Sequence, residues 1–379
     1  MADEVVEQST TQLDGTDNED MSQGDNPRPS FDPNKIRVKK IDPTVSNLMD
    51  KLTAEEIDLA PEFQRLQVWD AVRESRLIES LLIRIPLPAF YLDELEGQDE
   101  HYAVIDGVQR FTALDRFINK KGAEGLVLKG LEVLTTLNGK RFEDLDPPLK
   151  RRILGAQLVA YVIEPGTPDE AKLNIFQRIN TGGLTLTAQE IRHAMNPGPV
   201  RKFLEALAST PEFTSAVGLA ASNLRKRMAD RECAIRFMAF VDGGVVRYAK
   251  ATTDLDGFLN QAMKRVNKMS DLERGALADR FRRAMYHAHA YFGRYAFRKP
   301  AAGGPLNKSL FEATSVAIDA RSDSELATLA SRQDQLLEAY KAAFQKPDVF
   351  ASVTSGTGDM NKVVTRFAAL DSVLAEVLQ

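Results

Sequence analysis

The spacing of apolar residues changes near the middle of this 379-residue chain. In the first half, three short apolar runs predict strands, at Ala89–Leu92, Tyr102–Ile105 and Gln157–Ile163, the first two paired as a hairpin, and Leu126–Leu137 predicts a second hairpin. After Val200 the apolar positions recur almost wholly at helical spacing. The pattern therefore predicts an α+β fold, with a small mixed sheet in the N-terminal half followed by an α-helical bundle.

The same pattern predicts how the chain is divided. Residues 1–30 have almost no large apolar side chain and cannot bury enough surface to offset ordering, so we predict a disordered acidic tail. The clearest internal break is Asn196-Pro-Gly-Pro199, which predicts domains at residues 31–196 and 200–379. The helices expected in the second domain are Val200–Ala208, Ser222–Phe240, Thr253–Met269, Leu272–Tyr291, Asn307–Asp319, Ser322–Phe344 and Asn361–Leu374.

The clearest local feature is a strand that turns directly into a helix at Asp106-Gly107, with Gln109 and Arg110 in the first helical turn. The unpaired N–H groups of such a turn can bind an anion such as a phosphate. Two structural interpretations stand beside this one. Asp106 as the N-cap with Gln109 three residues later makes a capping-box arrangement, and Arg110 is placed to pair with Asp106. Spacing alone leaves the functional and structural interpretations equally open.

Composition narrows the class of protein. The chain is 43% hydrophobic and 27% charged, and no apolar run approaches the roughly 20 residues that span a bilayer. The single cysteine, Cys233, excludes an internal disulfide and a cysteine zinc cluster. P-loop, dinucleotide and nucleophile-elbow motifs are absent, and the four histidines are scattered. We expect a cytoplasmic protein with no membrane partner and no metal site of its own.

Charge is distributed unevenly along the chain. Residues 1–30 carry eight acids and one base, a net charge of −7, so the remaining residues carry +2 of the overall −5. A nearly neutral folded body permits contact with nucleic acid without demanding it. The basic run Arg225, Lys226 and Arg227, followed by Arg231 and Arg236, is a candidate DNA contact, but Asp230 and Glu232 interrupt it and favour a solvated helix face.

Four motifs in the first half occur in a fixed order. They are Glu62-Phe-Gln-Arg65…Trp69, Leu77-Ile-Glu-Ser-Leu-Leu…Ile85-Pro-Leu-Pro-Ala-Phe-Tyr-Leu92, Ile105-Asp-Gly-Val-Gln-Arg-Phe-Thr-Ala-Leu114 and Phe176-Gln-Arg-Ile-Asn180…Leu184-Thr…Glu190. Over residues 40–196 this set resembles the GmrSD-type restriction-endonuclease N-terminal domain family. The resemblance implies a ParB/sulfiredoxin-like superfold and the binding or hydrolysis of a nucleoside triphosphate, coupled to recognising or cutting modified foreign DNA.

The resemblance also implies roles for individual residues. Asp106, Gln109 and Arg110 stand where the family's Asp-Gly-Gln-Gln-Arg motif acts on the nucleotide, and they are the candidate catalytic residues. The candidate nucleotide-binding residues are Arg65, Trp69, Gly107, Arg178 and Asn180. The nucleotide can be GTP, ATP or CTP, and Mg²⁺ is its expected companion ion.

Two departures from the family pattern limit the expected activity. Val108 replaces the first glutamine of the motif, and valine neither donates a hydrogen bond to a phosphate nor orients a water molecule. We therefore expect nucleotide binding and leave hydrolysis open. The helical half shows no His-Asn-His nuclease motif, so we do not expect DNA cleavage by this chain alone, and a separate nuclease or methyltransferase is a candidate partner. The alternative is a non-catalytic DNA-binding or regulatory protein that uses the same fold as a scaffold.

Overall fold

The computed structural model describes residues 16–17, 32–59, 69–95, 97, 100–179, 187–218, 221–251, 253–300 and 304–379. The chain divides into two compact units. The first unit comprises residues 31–186 and 193–197, and the second comprises residues 1–30, 187–192 and 198–379. The domain limits at 31–196 and 200–379, and the disorder of residues 1–30, stay predictions.

The first unit is built on a mixed sheet, as the sequence predicts. Within the described residues the sheet has five strands, in the order β1-β5-β3-β4-β2. Their bounds are β1 Val38–Ile41, β2 Ile57–Asp58, β3 Phe90–Glu94, β4 Tyr102–Asp106 and β5 Ala160–Ile163. β3 pairs antiparallel with β4 and parallel with β5, while β1 pairs antiparallel with β5 and β2 pairs parallel with β4. The pairing of β3 with β4 confirms the hairpin expected for these two neighbouring strands.

Helices cover the two faces of this sheet differently. The helices of the first unit are α1 Val45–Thr53, α2 Ala71–Leu82, α3 Val108–Ile118, α4 Pro147–Leu154 and α5 Asp169–Ile179. Buried residues of α1 to α4 form one apolar core with the side chains that β3, β4 and β5 direct to that face. On the opposite face, α5 packs against β4, and the buried Lys172 Nζ lies 2.6 Å from Asp93 Oδ1 of β3.

The hairpin predicted at Leu126–Leu137 is wrong, because this segment forms turns and a short 3₁₀ helix at Thr135–Leu137. Three of its backbone donors are satisfied by one side chain instead of by a neighbouring strand. The buried carboxylate of Glu79 accepts hydrogen bonds from the N–H groups of residues 132, 133 and 134, at 3.0, 2.8 and 2.7 Å. Burial alone would raise the pKa of Glu79, but these three donors outweigh it and lower the pKa.

The second unit is helical, as predicted. Its helices are α6 Ala188–Met195, which the two units share, α7 Pro199–Ala208, α8 Pro211–Val217, α9 Ala221–Lys226, α10 Ala229–Phe240, α11 Gly244–Lys250, α12 Leu255–Lys268, α13 Asp271–Phe292, α14 Lys308–Asp319, α15 Asp323–Ser331, α16 Gln333–Ala343, α17 Pro347–Ser352 and α18 Met360–Leu378. Among the described residues, no helix combines the length and apolar character needed to cross a membrane.

Two of the predicted helices are each broken in two. The segment predicted as Ser222–Phe240 changes direction at Met228, whose φ of +56° is left-handed. The segment predicted as Ser322–Phe344 is interrupted at Arg332, where φ is −115° and ψ is 34°. In both cases the apolar spacing continues across the break, so periodicity alone gives no signal for it.

Candidate functional site

The predicted strand-to-helix turn is present at the end of β4. Asp106 is the last residue of the strand, Gly107 is the N-cap of α3, and Val108 is the first helical residue. Gly107 has a φ of +106°, and a Cβ atom placed on it would lie 2.6 Å from Cδ1 of Phe90. Only glycine satisfies both conditions, because other residues are strained at this φ and their Cβ would overlap the Phe90 ring.

The capping-box interpretation of this turn is wrong. The N-cap is Gly107 instead of Asp106, and among the described residues no side chain caps the first turn of α3. The Gln109 side chain does not reach back to the cap, since its Oε1 accepts a hydrogen bond from the backbone N–H of Trp69 at 3.1 Å. Within the described residues, the N-terminus of α3 therefore lacks the side-chain cap that would compete with an anion for its N–H groups.

Arg110 pairs with Asp106, as one of the structural interpretations predicts. Arg110 Nη2 lies 2.7 Å from Asp106 Oδ2, while Nη1 donates to the backbone carbonyl oxygens of Pro88 and, at 3.2 Å, Ala89. The guanidinium carbon stands 4.5 Å from the centroid of the Phe90 ring, which is within the range of a cation–π contact. Arg110 thus connects the turn to Pro88 and Ala89, which precede β3, and to Phe90, the first residue of β3.

The two charged groups differ in their access to solvent. The Arg110 side chain is 9% exposed, whereas that of Asp106 is 38% exposed. Burial lowers the pKa of Arg110, and the adjacent Asp106 offsets part of that effect. The guanidinium stays charged in any case, because arginine does not lose its proton in proteins. Asp106 is therefore the accessible member of the pair, and Arg110 positions it.

Trp69 supports the turn from the opposite direction. Its ring is partly buried and packs against the apolar core of the first unit, and its backbone is held by Gln109. This arrangement fits a tryptophan that packs in the core, and it assigns Gln109 a positioning contact. The predicted residues Arg65 and Asn180 lie outside the described residues. Arg178 is exposed in the last turn of α5.

The basic run at residues 225–227 does not form one exposed surface. Arg225 is 57% exposed and lies 3.9 Å from Asp230. Arg227 is largely buried, and its Nε and Nη2 contact the two carboxylate oxygens of Glu190 at 3.1 and 3.0 Å. The side chain of Lys226 lies outside the described residues. Glu190 also completes a capping box with Thr187 at the start of α6.

The sequence gives little sign of a buried charge network in the second unit. Glu312 lies 2.8 Å from Nη1 of Arg236 and 2.9 Å from Nε of Arg366, and all three side chains are fully buried. Glu232 accepts from Arg236 at 3.0 Å and pairs with Lys308 at 3.2 Å. The interpretation of this basic helix as a solvated face, which included Arg236, is wrong. The sign of burial in the sequence was that Arg236 stands between Ile235 and Phe237.

A shallow cavity of about 280 Å³ lies farther along α3, between that helix and the segment that follows it. It is lined by Leu59, Thr112, Asp115, Arg116, Lys120 and Glu124. None of the predicted site residues lines it, and its charges are mixed. We therefore place the candidate site at the turn and not at this cavity.

The turn offers groups that can contact a phosphate and a metal ion. A phosphate can approach the uncapped N–H groups closely because Gly107 has no side chain. Magnesium bound to a nucleotide needs one or two carboxylates besides the phosphate oxygens, and the half-exposed Asp106 can supply one. Among the described residues there is no cluster of three His, Cys, Asp or Glu side chains that would hold a metal ion unaided.

Comparison with known proteins gives one match to a family model. Residues 45–196 match the model described as the N-terminal domain of the GmrSD restriction endonuclease. The match spans β2 to β5 and α1 to α6, and it includes the Asp106 turn. No curated protein matches the chain.

Proposed function

Through residues 45–196 the chain belongs to the GmrSD restriction endonuclease N-terminal domain family, and from this we propose that it is a nucleotide-binding module of restriction and phage defence. The nucleotide is a nucleoside triphosphate, GTP, ATP or CTP, accompanied by Mg²⁺. The module acts on or senses foreign DNA, with a separate nuclease or methyltransferase as the partner that modifies or cuts it.

One observation carries the nucleotide part of this proposal. Within the part of the chain that the structure describes, the first turn of α3 has no side-chain cap, and it stands beside a half-exposed carboxylate, Asp106. An uncapped helix N-terminus favours a phosphate through its N–H groups and through the helix dipole. A carboxylate beside that phosphate is repelled by it unless a divalent cation lies between them, so this arrangement supports a magnesium–nucleotide complex over a bare anion.

The proposal is tested by calorimetric titration of each nucleoside triphosphate, with and without Mg²⁺, into the full chain. We expect binding that Mg²⁺ strengthens. Asp106→Asn keeps the shape of the side chain and removes its charge, so it should abolish the Mg²⁺ dependence. Asp115→Asn is the matched control, because Asp115 lies on the same helix and bonds only locally, to Asn119 at 2.9 Å and to Lys120.

Two results would count against this assignment. Negligible heat with every nucleotide for the wild-type chain would rule out binding. Equal Mg²⁺ dependence in Asp106→Asn, Asp115→Asn and the wild type would remove Asp106 from the site. Turnover of the nucleotide that Asp106→Ala abolishes would extend the proposal from binding to hydrolysis.

The second candidate is a non-catalytic DNA-binding or regulatory protein in which this turn is a scaffold. The position of Arg110 favours it, since the guanidinium is committed to Asp106 and to the carbonyl oxygens of Pro88 and Ala89. Binding dominated by phosphate contacts weakens steeply with salt. Gel shifts of the full chain at two salt concentrations test this candidate, and the absence of a shift at low salt would eliminate it.

A further inference from the structure

A row of paired positions crosses the sheet of the first unit and ends at Asp106. In the strand registers, Lys40 pairs with Tyr161, Tyr161 pairs with Tyr91, and Tyr91 pairs with Asp106 across a register irregularity between Tyr91 and Leu92. Where the register is regular, directly paired residues on neighbouring strands direct their side chains to the same face of a sheet, so Tyr91 and Tyr161 share a face. The Tyr91 and Tyr161 rings confirm this, since they stack with centroids 5.4 Å apart and planes inclined by 21°.

This row lies beside the part of the sheet face that α5 covers. The neighbouring row on the same face contains Ile163, Asp93 and Ala103, all of which are buried. Lys172 of α5 lies above that buried row, where it pairs with Asp93. One step along the strands, the two tyrosines are half-buried, so the sheet face opens at their position.

The chemistry of the open row is aromatic in the middle and charged at its ends. Among the described residues, neither tyrosine hydroxyl has a hydrogen-bond partner. Lys40 stands at the far end and pairs with Asp42 at 2.9 Å, whereas Asp106 and the buried Arg110 stand at the near end. The two rings stack on each other, so a nucleobase can extend the stack on an outer ring face, because every base presents a flat π face.

Spacing connects this aromatic pair with the turn. Neighbouring strands lie about 4.8 Å apart, so Tyr91 is one such step from Asp106 and Tyr161 is two steps away, about 10 Å. A ligand whose phosphate meets the first turn of α3 at this end of the sheet would therefore have Tyr91, and then Tyr161, within reach of its ribose and base. The direction is fixed by the sheet, since the row starts at the residue that precedes Gly107.

We propose that Tyr91 and Tyr161 form the surface that holds the base of the nucleotide bound at the Asp106 turn. The inference rests on the proposed function and adds the part of the ligand that these residues contact. Stacking on tyrosines tolerates different bases, so the surface contributes affinity for any nucleobase and little discrimination among the four. The phenol hydroxyls are free to donate to base or ribose oxygens, which gives them a secondary part in binding.

The experiment compares a ligand that has a base with one that lacks it. Nucleoside triphosphates and inorganic triphosphate are titrated into the full chain and into its Tyr91→Leu and Tyr161→Leu variants. We expect each leucine variant to bind the nucleotides about tenfold more weakly, and to bind inorganic triphosphate as the wild type does. Tyr91→Phe and Tyr161→Phe keep the ring and should retain most of the affinity. Tyr286→Leu, at an exposed tyrosine of α13, is the matched control and should change nothing.

A second readout uses only the wild-type chain and so does not depend on the folding of any variant. In saturation-transfer NMR, the base protons of the bound nucleotide should receive more saturation than its ribose protons. Weaker saturation of the base than of the ribose would overturn the inference, as would leucine variants that melt like the wild type and bind nucleotide equally well.

The outcomes also separate this inference from the function on which it rests. If the wild type binds neither nucleotide nor triphosphate, the proposed function fails and the inference fails with it. If both ligands bind to the wild type, and the leucine variants bind the nucleotides as tightly as the wild type does, the function stands and the inference is wrong. A single-stranded oligonucleotide is titrated as a third ligand. If the leucine variants lose affinity for it while binding nucleotides normally, the assignment to a free nucleotide is overturned.

Discussion

At the scale of single residues, the turn depends on groups that bond across the fold. The backbone at Gly107 must pass beside Phe90, Gln109 holds the N–H of Trp69, and Arg110 reaches two carbonyl oxygens about twenty residues earlier in the chain. These contacts fix the position of Asp106 relative to the sheet. The motif therefore contains both the accessible carboxylate and the residues that hold it in place.

The cost of a side chain at Gly107 can be predicted from this geometry. Gly107→Ala combines strain at a φ of +106° with overlap of the new Cβ and the Phe90 ring, so we expect the first unit to lose about 3 kcal/mol of stability. Gly139→Ala is the control, because Gly139 also has positive φ, at +84°, but has open space around it. It should lose about 1 kcal/mol.

Urea unfolding followed by tryptophan fluorescence measures this difference, since the only tryptophan of the chain is Trp69. Equal shifts of the unfolding midpoint in the two variants would show that Phe90 yields to the new methyl group, and that the overlap has no energetic consequence.

At the scale of elements, α10 is a helix that is buried although its sequence contains several charged residues. Every residue from Ala229 to Phe240 is buried, including Arg231, Glu232 and Arg236. A helix buried on all sides can carry charges only if each is paired, because an unpaired buried charge is very costly. Partners from other helices, Glu312 and Lys308 of α14, provide that pairing.

Glu232 should make the stability of this helical unit depend on pH. Burial by itself would raise the pKa of Glu232, but Lys308, Arg236 and Arg192 outweigh burial and hold the pKa below its ordinary value. A carboxyl with a lowered folded pKa stabilises the fold above its unfolded pKa, near 4.3, and this stabilisation is lost as pH falls toward the folded value. The free energy of unfolding of the wild type should therefore decline below about pH 4.

Glu232→Gln tests whether this pH dependence of stability comes from Glu232. We expect the variant to lose about 3–5 kcal/mol at pH 7, because three cations would remain buried with one anion fewer. The loss should shrink as pH falls below the unfolded pKa, since the unfolded wild-type chain then binds a proton at Glu232 that the folded chain does not bind. Urea unfolding followed by far-UV circular dichroism measures both curves. A difference that stays constant from pH 7 to pH 3 would contradict the role of this ionisation.

At the scale of the whole molecule, the acidic N-terminal segment contributes a contact to the second unit. Thr16 and Asp17 are buried, and Thr16 forms a parallel bridge with Leu306. The Asp17 carboxylate lies 2.6 Å from Lys299 Nζ and 3.1 Å from Asn307 Nδ2. The same Asn307 caps α14 through its Oδ1. A residue of the segment predicted to be disordered thus joins the packing around that helix.

Removing this charge should weaken the second unit. Asp17→Asn leaves the ammonium group of Lys299 without its nearest carboxylate, so we expect a loss of about 1–3 kcal/mol and a lower thermal midpoint. Asp334→Asn makes the same chemical change at an exposed position in the first turn of α16 and should stay within about 0.5 kcal/mol of the wild type. Differential scanning calorimetry compares the two, and equal midpoints would show that the Asp17 contact is not stabilising.

The sequence by itself determined the kinds of elements, the strand-to-helix turn and the family, because these depend on residues close together in the chain. Apolar spacing predicted the main strands and most helices, and the ordered motifs predicted the family that the comparison shows. It failed where a distant group replaced a local partner, as Glu79 does for residues 132–134.

Only the tertiary structure decided which groups meet. It committed Arg110 to carbonyl oxygens, buried Arg236 between two carboxylates, and aligned Tyr161 and Tyr91 with Asp106. Strand order and register set these meetings, and a pattern with a period of two or of 3.6 residues carries no information about which strands become neighbours. The turn is thus encoded locally, whereas the surface beside it exists only because β5, β3 and β4 lie side by side.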